Sequence, residues 1–277
     1  MTDILELIQQ NQLVQAVEAC KSAVRQRPSD IEARGLLCQL FCFQGEWARA
    51  DVQLATIEQQ NQEMAVGVGL LRQLVRGEIA REQFFSEGRT PELVTDVPES
   101  IEMLLKAVVS LRENKCEEVT TNVAEIRKSI PVVTGVINGQ SFSGVRDLDD
   151  LMSGSVEVIT TSGKYFLIPF ESLKNLEIRP PERLQDRIWR SANIEVEDGM
   201  TGEVYLPTRY CQRYTVTMDE ASEALQIGAE TDWMPLFEGG PVVGIGQKMF
   251  LIGDQTFSIM EIESLLVQAD VSSEVKE

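Results

Sequence analysis

The chain has 277 residues, of which 43% are hydrophobic and 25% charged, so it is long enough for two packed domains. Its 44 acidic and 25 basic residues leave a net charge of −19, which repels nucleic acid and anionic lipid surfaces. No apolar stretch approaches the ~20 residues needed to cross a bilayer. We therefore expect a cytoplasmic protein that binds neither nucleic acid nor membrane.

The chain contains no histidine. Catalytic Ser-His-Asp and Cys-His systems and zinc sites built on imidazole are therefore excluded. The five cysteines are odd in number and lack C-x-x-C spacing, so we expect reduced, buried thiols rather than a disulfide framework or a metal site. They are Cys20, Cys38, Cys42, Cys116 and Cys211.

The N-terminal part matches itself at a shift of 34 residues, the period of tetratricopeptide-like helical hairpins. Residues 11–16 (N-Q-L-V-Q-A) align with residues 45–50 (G-E-W-A-R-A). Ala16 and Ala50 are small enough to let the two helices of each hairpin approach closely. Because two hairpins are fewer than the three usually needed to bury a continuous core, further helices should cap them. Apolar spacing predicts those helices over 63–85, 100–112 and 116–130.

From Pro131 onward the apolar period changes from 3.6 to 2. Glycine-containing turns, among them Asn138-Gly139 and Asp198-Gly199, separate short predicted strands. The strands cover 132–137, 140–145, 155–160, 165–170, 194–196, 203–206, 248–252 and 255–259. Residues 260–268 are predicted to form a closing helix. The expected fold class is α+β: an all-α tetratricopeptide-like domain over 1–130, then a small bent-sheet or β-barrel-like (SH3-like) domain over 131–277.

Two segments contain residue patterns that could bind a metal ion or a nucleotide. Asp147, Asp149 and Asp150 form the densest carboxylate cluster, which suits Mg²⁺ or Ca²⁺, although a solvated loop with a helix cap at Asp149 or Asp150 is the simpler interpretation. Residues 239–248 contain G-x-G, but Met249 stands where a dinucleotide fingerprint needs its third glycine, so we expect a turn and a strand entry. We predict no catalytic residue, no cofactor and no metal.

The helix over residues 33–43 is apolar on nearly all sides. Leu37 and Phe41 fill the core positions of the repeat, which leaves Leu36, Gln39 and Phe43 toward the concave side of the array. Concave repeat surfaces bind helical or extended peptides, so these three residues are predicted to line a partner-binding groove. The alternative is that residues 63–85 fold back and bury this face.

The whole chain resembles the ImpE family, also called SciE or TagJ, of accessory proteins in bacterial type VI secretion clusters. The resemblance depends on the order and spacing of short C-terminal phrases. They are R-D-x-D-D at 146–150, Y-F-L-I-P at 165–169, W-R-x-A at 189–192, G-x-V-x-L-P at 202–207, L-x-x-G at 225–228, T-D-W at 231–233, G-x-G-Q at 244–247 and F-L-x-G-D at 250–254.

The resemblance implies a non-enzymatic adaptor in the cytoplasm. Its partner would be the N-terminal helix of the small contractile-sheath subunit, and its role would lie in assembly, stability or disassembly of the sheath. Three alternatives remain: a basic partner on the acidic β-rich half, whose net charge is −13; a metal-dependent hydrolase using Asp147, Asp149 and Asp150; and a repeat-protein scaffold that self-assembles or has another partner.

Overall fold

The structure is a computed structural model that describes residues 2–93, 97–197, 199–211 and 222–268. Its N-terminal part is helical, as predicted. The helices are α1 (Thr2–Gln9), α2 (Leu13–Gln26), α3 (Ile31–Phe43), α4 (Trp47–Gln60), α5 (Ala65–Ser86), α6 (Glu99–Arg112) and α7 (Cys116–Ser129), with a 3₁₀ turn at Gln62–Met64. None of the described helices is both long and apolar enough to cross a membrane.

Three helical hairpins, α1–α2, α3–α4 and α6–α7, are built alike within the described residues. The middle residue of each three-residue turn has a positive φ, which Asn and Gly adopt readily: Asn11 (57°), Gly45 (69°) and Asn114 (57°). The next residue donates its backbone N–H to a carbonyl five residues earlier, at 2.8, 2.9 and 2.9 Å respectively. The same cap therefore ends the first helix of every hairpin.

The first two hairpins confirm the repeat detected in the sequence, and both alanines at the close approach are fully buried. The third hairpin was not predicted. Ser110 stands where Leu7 and Phe41 are bulky, and Val119 replaces the small Ala16 and Ala50, so the side-chain pattern is lost while the turn geometry is kept.

Fourteen short strands are found among the described residues, all but β1 in the C-terminal part. They are β1 (Glu92–Leu93), β2 (Thr134–Ile137), β3 (Gln140–Ser143), β4 (Val145–Asp147), β5 (Ser155–Thr160), β6 (Tyr165–Pro169), β7 (Leu173–Ile178), β8 (Trp189–Val196), β9 (Thr201–Pro207), β10 (Thr231–Pro235), β11 (Val242–Gly246), β12 (Met249–Ile252), β13 (Gln255–Ser258) and β14 (Ser264–Gln268). A short helix, α8 (Glu223–Gln226), and 3₁₀ turns at Phe170–Ser172 and Leu184–Arg187 connect them.

The strands form three sheets within the described residues. The main sheet has the order β1-β6-β5-β9-β8-β7-β14-β2-β3, beside a pair β10-β11 and a triplet β13-β12-β4. The two ends of the main sheet, β1 and β3, do not pair with each other, so the sheet is open rather than a closed barrel. The α+β class is confirmed, and the barrel alternative is not.

The predicted strand pairs are confirmed at their turns. Asn138 and Gly139 both have positive φ, 47° and 82°, as a two-residue hairpin turn requires. β5 pairs with β6, β8 with β9, and β12 with β13. Of the predicted Asp198-Gly199 turn, Asp198 lies outside the described residues.

The predicted closing helix over 260–268 is wrong. Its second half is β14, which lies between β2 and β7, with Leu265 opposite Ile137 on one side and Leu176 on the other. Leu265 is 2% exposed and Leu266 is 47% exposed, the alternation of a strand. Apolar spacing in so short a segment fits a helix or a strand. Pairing with β2 and β7 makes this segment a strand.

The change from helices to strands falls where predicted, because α7 ends at Ser129 and β2 begins at Thr134. The two parts nevertheless share one hydrophobic core, to which the helices contribute Leu74 and Phe85 and the strands Leu167. In addition, β1 comes from the N-terminal part and pairs in parallel with β6. The division at residue 130 into separate domains stays a prediction.

The register of β14 gives a stability test in neighbouring residues. Leu265→Ala should lower the free energy of unfolding by about 2–5 kcal/mol, because it removes a buried side chain from the centre of the sheet. Leu266→Ala, on the exposed face, should change it by less than about 0.5 kcal/mol. Urea denaturation of both variants measures the difference, and equal losses would contradict this register.

Candidate functional site

The residues predicted to line a groove on α3 are mostly buried. Leu36 is 6% exposed, Phe43 is fully buried, and Gln39 is half-buried. The Arg209 guanidinium lies 5.4 Å from the Phe43 ring centroid and donates to the carbonyl oxygens of Phe43 and Cys42 at 2.8 and 2.9 Å. The expectation of an open groove with Leu36 and Phe43 as accessible anchors is therefore not met.

The β-rich part closes the helical array at the turns of the first two hairpins. Trp47 at the start of α4 lies against Trp189 of β8, with ring centroids 6.1 Å apart. The backbone N–H of Val14 donates to the Glu223 carboxylate at 2.7 Å. The C-terminal part therefore covers the end of α3 that carries Phe43, whereas α2 packs on the α3 face that carries Ala33 and Leu36. Residues 63–85 pack mainly on α4, β5 and β6.

A buried group of charges joins α5 to the sheets, with Glu157 on β5 at its centre. Arg81 of α5 donates to both oxygens of Glu157, from Nε to Oε1 and from Nη2 to Oε2, each at 2.7 Å. Lys248 places its Nζ 2.6 Å from Oε2, and the Tyr165 hydroxyl donates to Oε1 at 2.6 Å. The three charged side chains are only 2–4% exposed.

These groups stay charged because they stabilise one another. Burial alone would raise the pKa of Glu157, but Arg81 and Lys248 outweigh burial and hold that pKa well below its usual range. Burial also opposes the charges of the two cations, yet Glu157 raises the pKa of both. Locked in the charged form and closed to solvent, the group holds the helices on the sheets and is unsuited to exchanging protons with a substrate.

The network extends along α5 to the rest of the C-terminal part. Glu78, one turn before Arg81, accepts from the Trp189 indole N–H at 2.9 Å and lies 3.2 Å from the Arg81 guanidinium. Arg81 also donates to the Arg209 carbonyl at 2.8 Å. One helix face therefore fixes the β8 strand and the segment that covers α3.

The Asp147, Asp149 and Asp150 cluster is buried, so the predicted solvated loop is wrong. Asp147 and Asp149 are fully buried and Asp150 is 8% exposed. Asp147 Oδ1 accepts from the Tyr210 hydroxyl at 2.7 Å and from the Asp149 N–H at 2.9 Å, and its Oδ2 lies 3.5 Å from Lys248 Nζ. This carboxylate continues the network around Glu157.

Asp149 caps a turn rather than the predicted helix, and Asp150 links β11 to α7. Asp149 accepts from the N–H groups of Leu151 (2.9 Å), Met152 (3.2 Å) and Gly244 (3.0 Å). Asp150 accepts from the Val242 N–H at 2.9 Å and pairs with Arg127 of α7. Across the described ranges, no three Cys, Asp or Glu side chains converge in a way that could hold a metal ion.

The G-x-G segment is a strand entry, as predicted, and its glycine has a packing reason. A Cβ at Gly244 would lie 2.1 Å from the Tyr210 ring, so only glycine lets β11 approach that ring. Tyr210 in turn is held by Asp147. The residues that resemble part of a nucleotide motif therefore serve the buried network.

The cysteines are all free thiols. Four of them are buried, as predicted, and Cys116 at the start of α7 is exposed.

An open groove lies between α6 and α7, with a volume of about 670 Å³. Leu105 and Val109 form its apolar part on α6; Leu105 is half-buried and Val109 is 43% exposed. Glu117 and Thr121 line the opposite side on α7. Sequence reasoning missed this surface because it missed the third hairpin, although Asn114 in the turn was an available signal.

Comparison with known proteins covers both parts of the chain. A family model described as ImpE protein matches residues 139–266, and one described as tetratricopeptide repeat matches residues 7–74. The type VI secretion system accessory component TagJ of Pseudomonas aeruginosa is 27% identical over 260 residues, which cover 94% of this chain and 89% of that protein. Residues 139–266 therefore match the ImpE family, and TagJ is similar to nearly the whole chain.

A solved structure is similar to this chain over nearly its whole length. The crystal structure of protein VPA1032 from Vibrio parahaemolyticus is similar to it with a TM-score of 0.89 and 29% sequence identity. The match covers 97% of this chain and 98% of that chain. The helical hairpins and the open sheet are thus an arrangement that the two proteins share.

Breaking the buried network should strongly lower the free energy of unfolding. Arg81→Met leaves Glu157 buried with Lys248 as its remaining cation, so we expect a loss of about 3–5 kcal/mol in the free energy of unfolding. Lys128→Met removes a surface cation that pairs with Glu125 at 2.6 Å and should leave the denaturation midpoint almost unchanged. Urea denaturation at pH 7 compares them, and a midpoint for Arg81→Met that matches the control would refute the structural role.

The cluster should also make stability depend on pH. Burial, together with the Asp147 carboxylate, raises the pKa of Asp149 from 3.8 to about 7. The folded state then keeps a proton that the unfolded chain loses near pH 4, so this group's contribution to stability falls as the pH rises from about 4 to 7. Asp149→Asn should remove that slope, by up to about 1.4 kcal/mol per pH unit. Parallel stability curves for wild type and variant from pH 5 to 8 would contradict the shift.

Proposed function

We propose that this protein is a non-enzymatic accessory protein of a bacterial type VI secretion system, acting in the cytoplasm. It binds the N-terminal helix of the small contractile-sheath subunit and modulates assembly or disassembly of the sheath. The observation that carries the proposal is the relation to TagJ, which extends over 94% of this chain and 89% of that accessory component. A match from end to end favours a shared task over a single shared domain.

The chemistry of the described residues favours binding over catalysis. The buried charges are paired with one another, and the buried carboxylates accept hydrogen bonds from backbone amides. Helical hairpins present their outer faces to other helices, which is how amphipathic peptides are recognised. The open groove of the third hairpin supplies such a face.

Calorimetry tests the partner. The full chain is titrated with a synthetic peptide of the N-terminal helix of the small sheath subunit from the same secretion cluster. We expect a Kd in the micromolar range or tighter, because a groove with apolar anchors binds an amphipathic helix mainly by burying apolar area. A peptide of the same composition with a proline in its centre is the control, since it cannot form the helix.

A salt series separates this proposal from its alternative. Binding by an apolar groove should change little between low and high salt, whereas a basic partner on the acidic C-terminal part would lose affinity steeply. No heat of binding with the helical peptide at any salt concentration would refute the proposed partner.

A further inference from the structure

The three hairpins allow each exposed position to be compared with its equivalents. A shift of 69 residues aligns α3–α4 with α6–α7 and places Asn114 on Gly45, the positive-φ residue of the turn. The same shift places Val123 on Leu54 and Ile126 on Ile57, and all four side chains are buried. The third hairpin therefore keeps the backbone and the inner face of the second.

In the second hairpin, helix α2 covers one face of α3. That face contains Ala33 with Leu36, Leu37 and Leu40, which lie at spacings of three, four and seven residues from it and are 0–6% exposed. The Cys20 thiol of α2 donates to the Ala33 carbonyl at 3.2 Å, which fixes the contact. A helix with small side chains thus fits closely against this face.

In the third hairpin, the equivalent face of α6 is open. Its residues are Glu102, Leu105, Lys106 and Val109, none of which is buried. The preceding helix leaves them open, because α5 packs mainly on α4, β5 and β6 and contacts α6 only slightly. Among the described residues, no helix takes the place that α2 takes in the second hairpin.

We propose that a partner helix docks in the α6–α7 groove, in the position that α2 holds against α3. The inference rests on the proposed function, so the helix is the sheath-subunit helix named there. Its small or aliphatic side chains, spaced four residues apart as on α2, meet Leu105 and Val109.

Charge at the groove specifies the partner further. Lys115, at one end of the groove, already forms ion pairs: its Nζ lies 2.8 Å from Glu113 and 3.5 Å from Glu118. Glu117 is exposed and makes no ion pair with any described residue, so it is open to a cation. The docked helix therefore carries a Lys or Arg that faces Glu117 at the α7 side of the groove.

Variants on the full chain test the docking site by calorimetry with the same sheath peptide. Leu105→Asp with Val109→Asp should weaken binding by more than about tenfold, because it places two charges where apolar anchors are buried. Val52→Asp with Val66→Asp is the matched control, since these valines are 60% and 88% exposed on α4 and α5. The control should bind within about twofold of wild type, and circular dichroism melts confirm that each variant folds.

A charge exchange gives a second, independent readout. Glu117→Lys should weaken binding of the natural peptide and should bind a peptide better when its facing basic residue is changed to Glu. Rescue of this kind requires direct contact, which a general effect on folding would not produce.

The outcomes separate the two proposals. If wild type binds but the groove variants bind equally well, the docking site is wrong and the proposed function stands. If wild type does not bind, the proposed partner is wrong and the docking site is refuted with it.

Discussion

The bidentate pair between Arg81 and Glu157 is the contact on which the arrangement of the molecule depends. It links the long helix α5 to the main sheet, and Lys248 extends it to Asp147 and so to the sheet triplet. A buried charge without a partner destabilises a fold strongly, so each of these residues requires the others in place. The helices and sheets therefore have one permitted docking geometry, and the outer faces of the hairpins are held in fixed positions.

That geometry decides which surfaces remain for a partner. The segment that follows β9 brings Arg209 over the end of α3, which closes the face that looks most apolar in the sequence. The same docking leaves α6 and α7 with one face on the core and one face in solvent. The open groove that this docking leaves, where we propose that the partner helix docks, lies on the hairpin that is least like a repeat in its side chains.

Local patterns in the sequence are sufficient to predict most of the helices and strands. The Asn138-Gly139 turn, the 34-residue repeat and the apolar stripe of α6 each predict the structure found, because each depends on neighbours in the chain. The failures involve distant partners. Residues 264–268 form a strand because they pair with β2 and β7. The predicted groove on α3 is closed at Phe43 by Arg209, 166 residues later in the chain. Similarly, nothing local indicates that Asp149 is buried among the sheets.

The place of β14 in the main sheet has a consequence for synthesis on the ribosome. It lies between β2 and β7, so both of these strands present unpaired edges until residues 264–268 have been made. About 90 residues separate the end of β7 from β14, several seconds of translation at ordinary elongation rates. During that interval the nascent chain carries two open edges that can pair with other chains, and an early chaperone contact would benefit it most there.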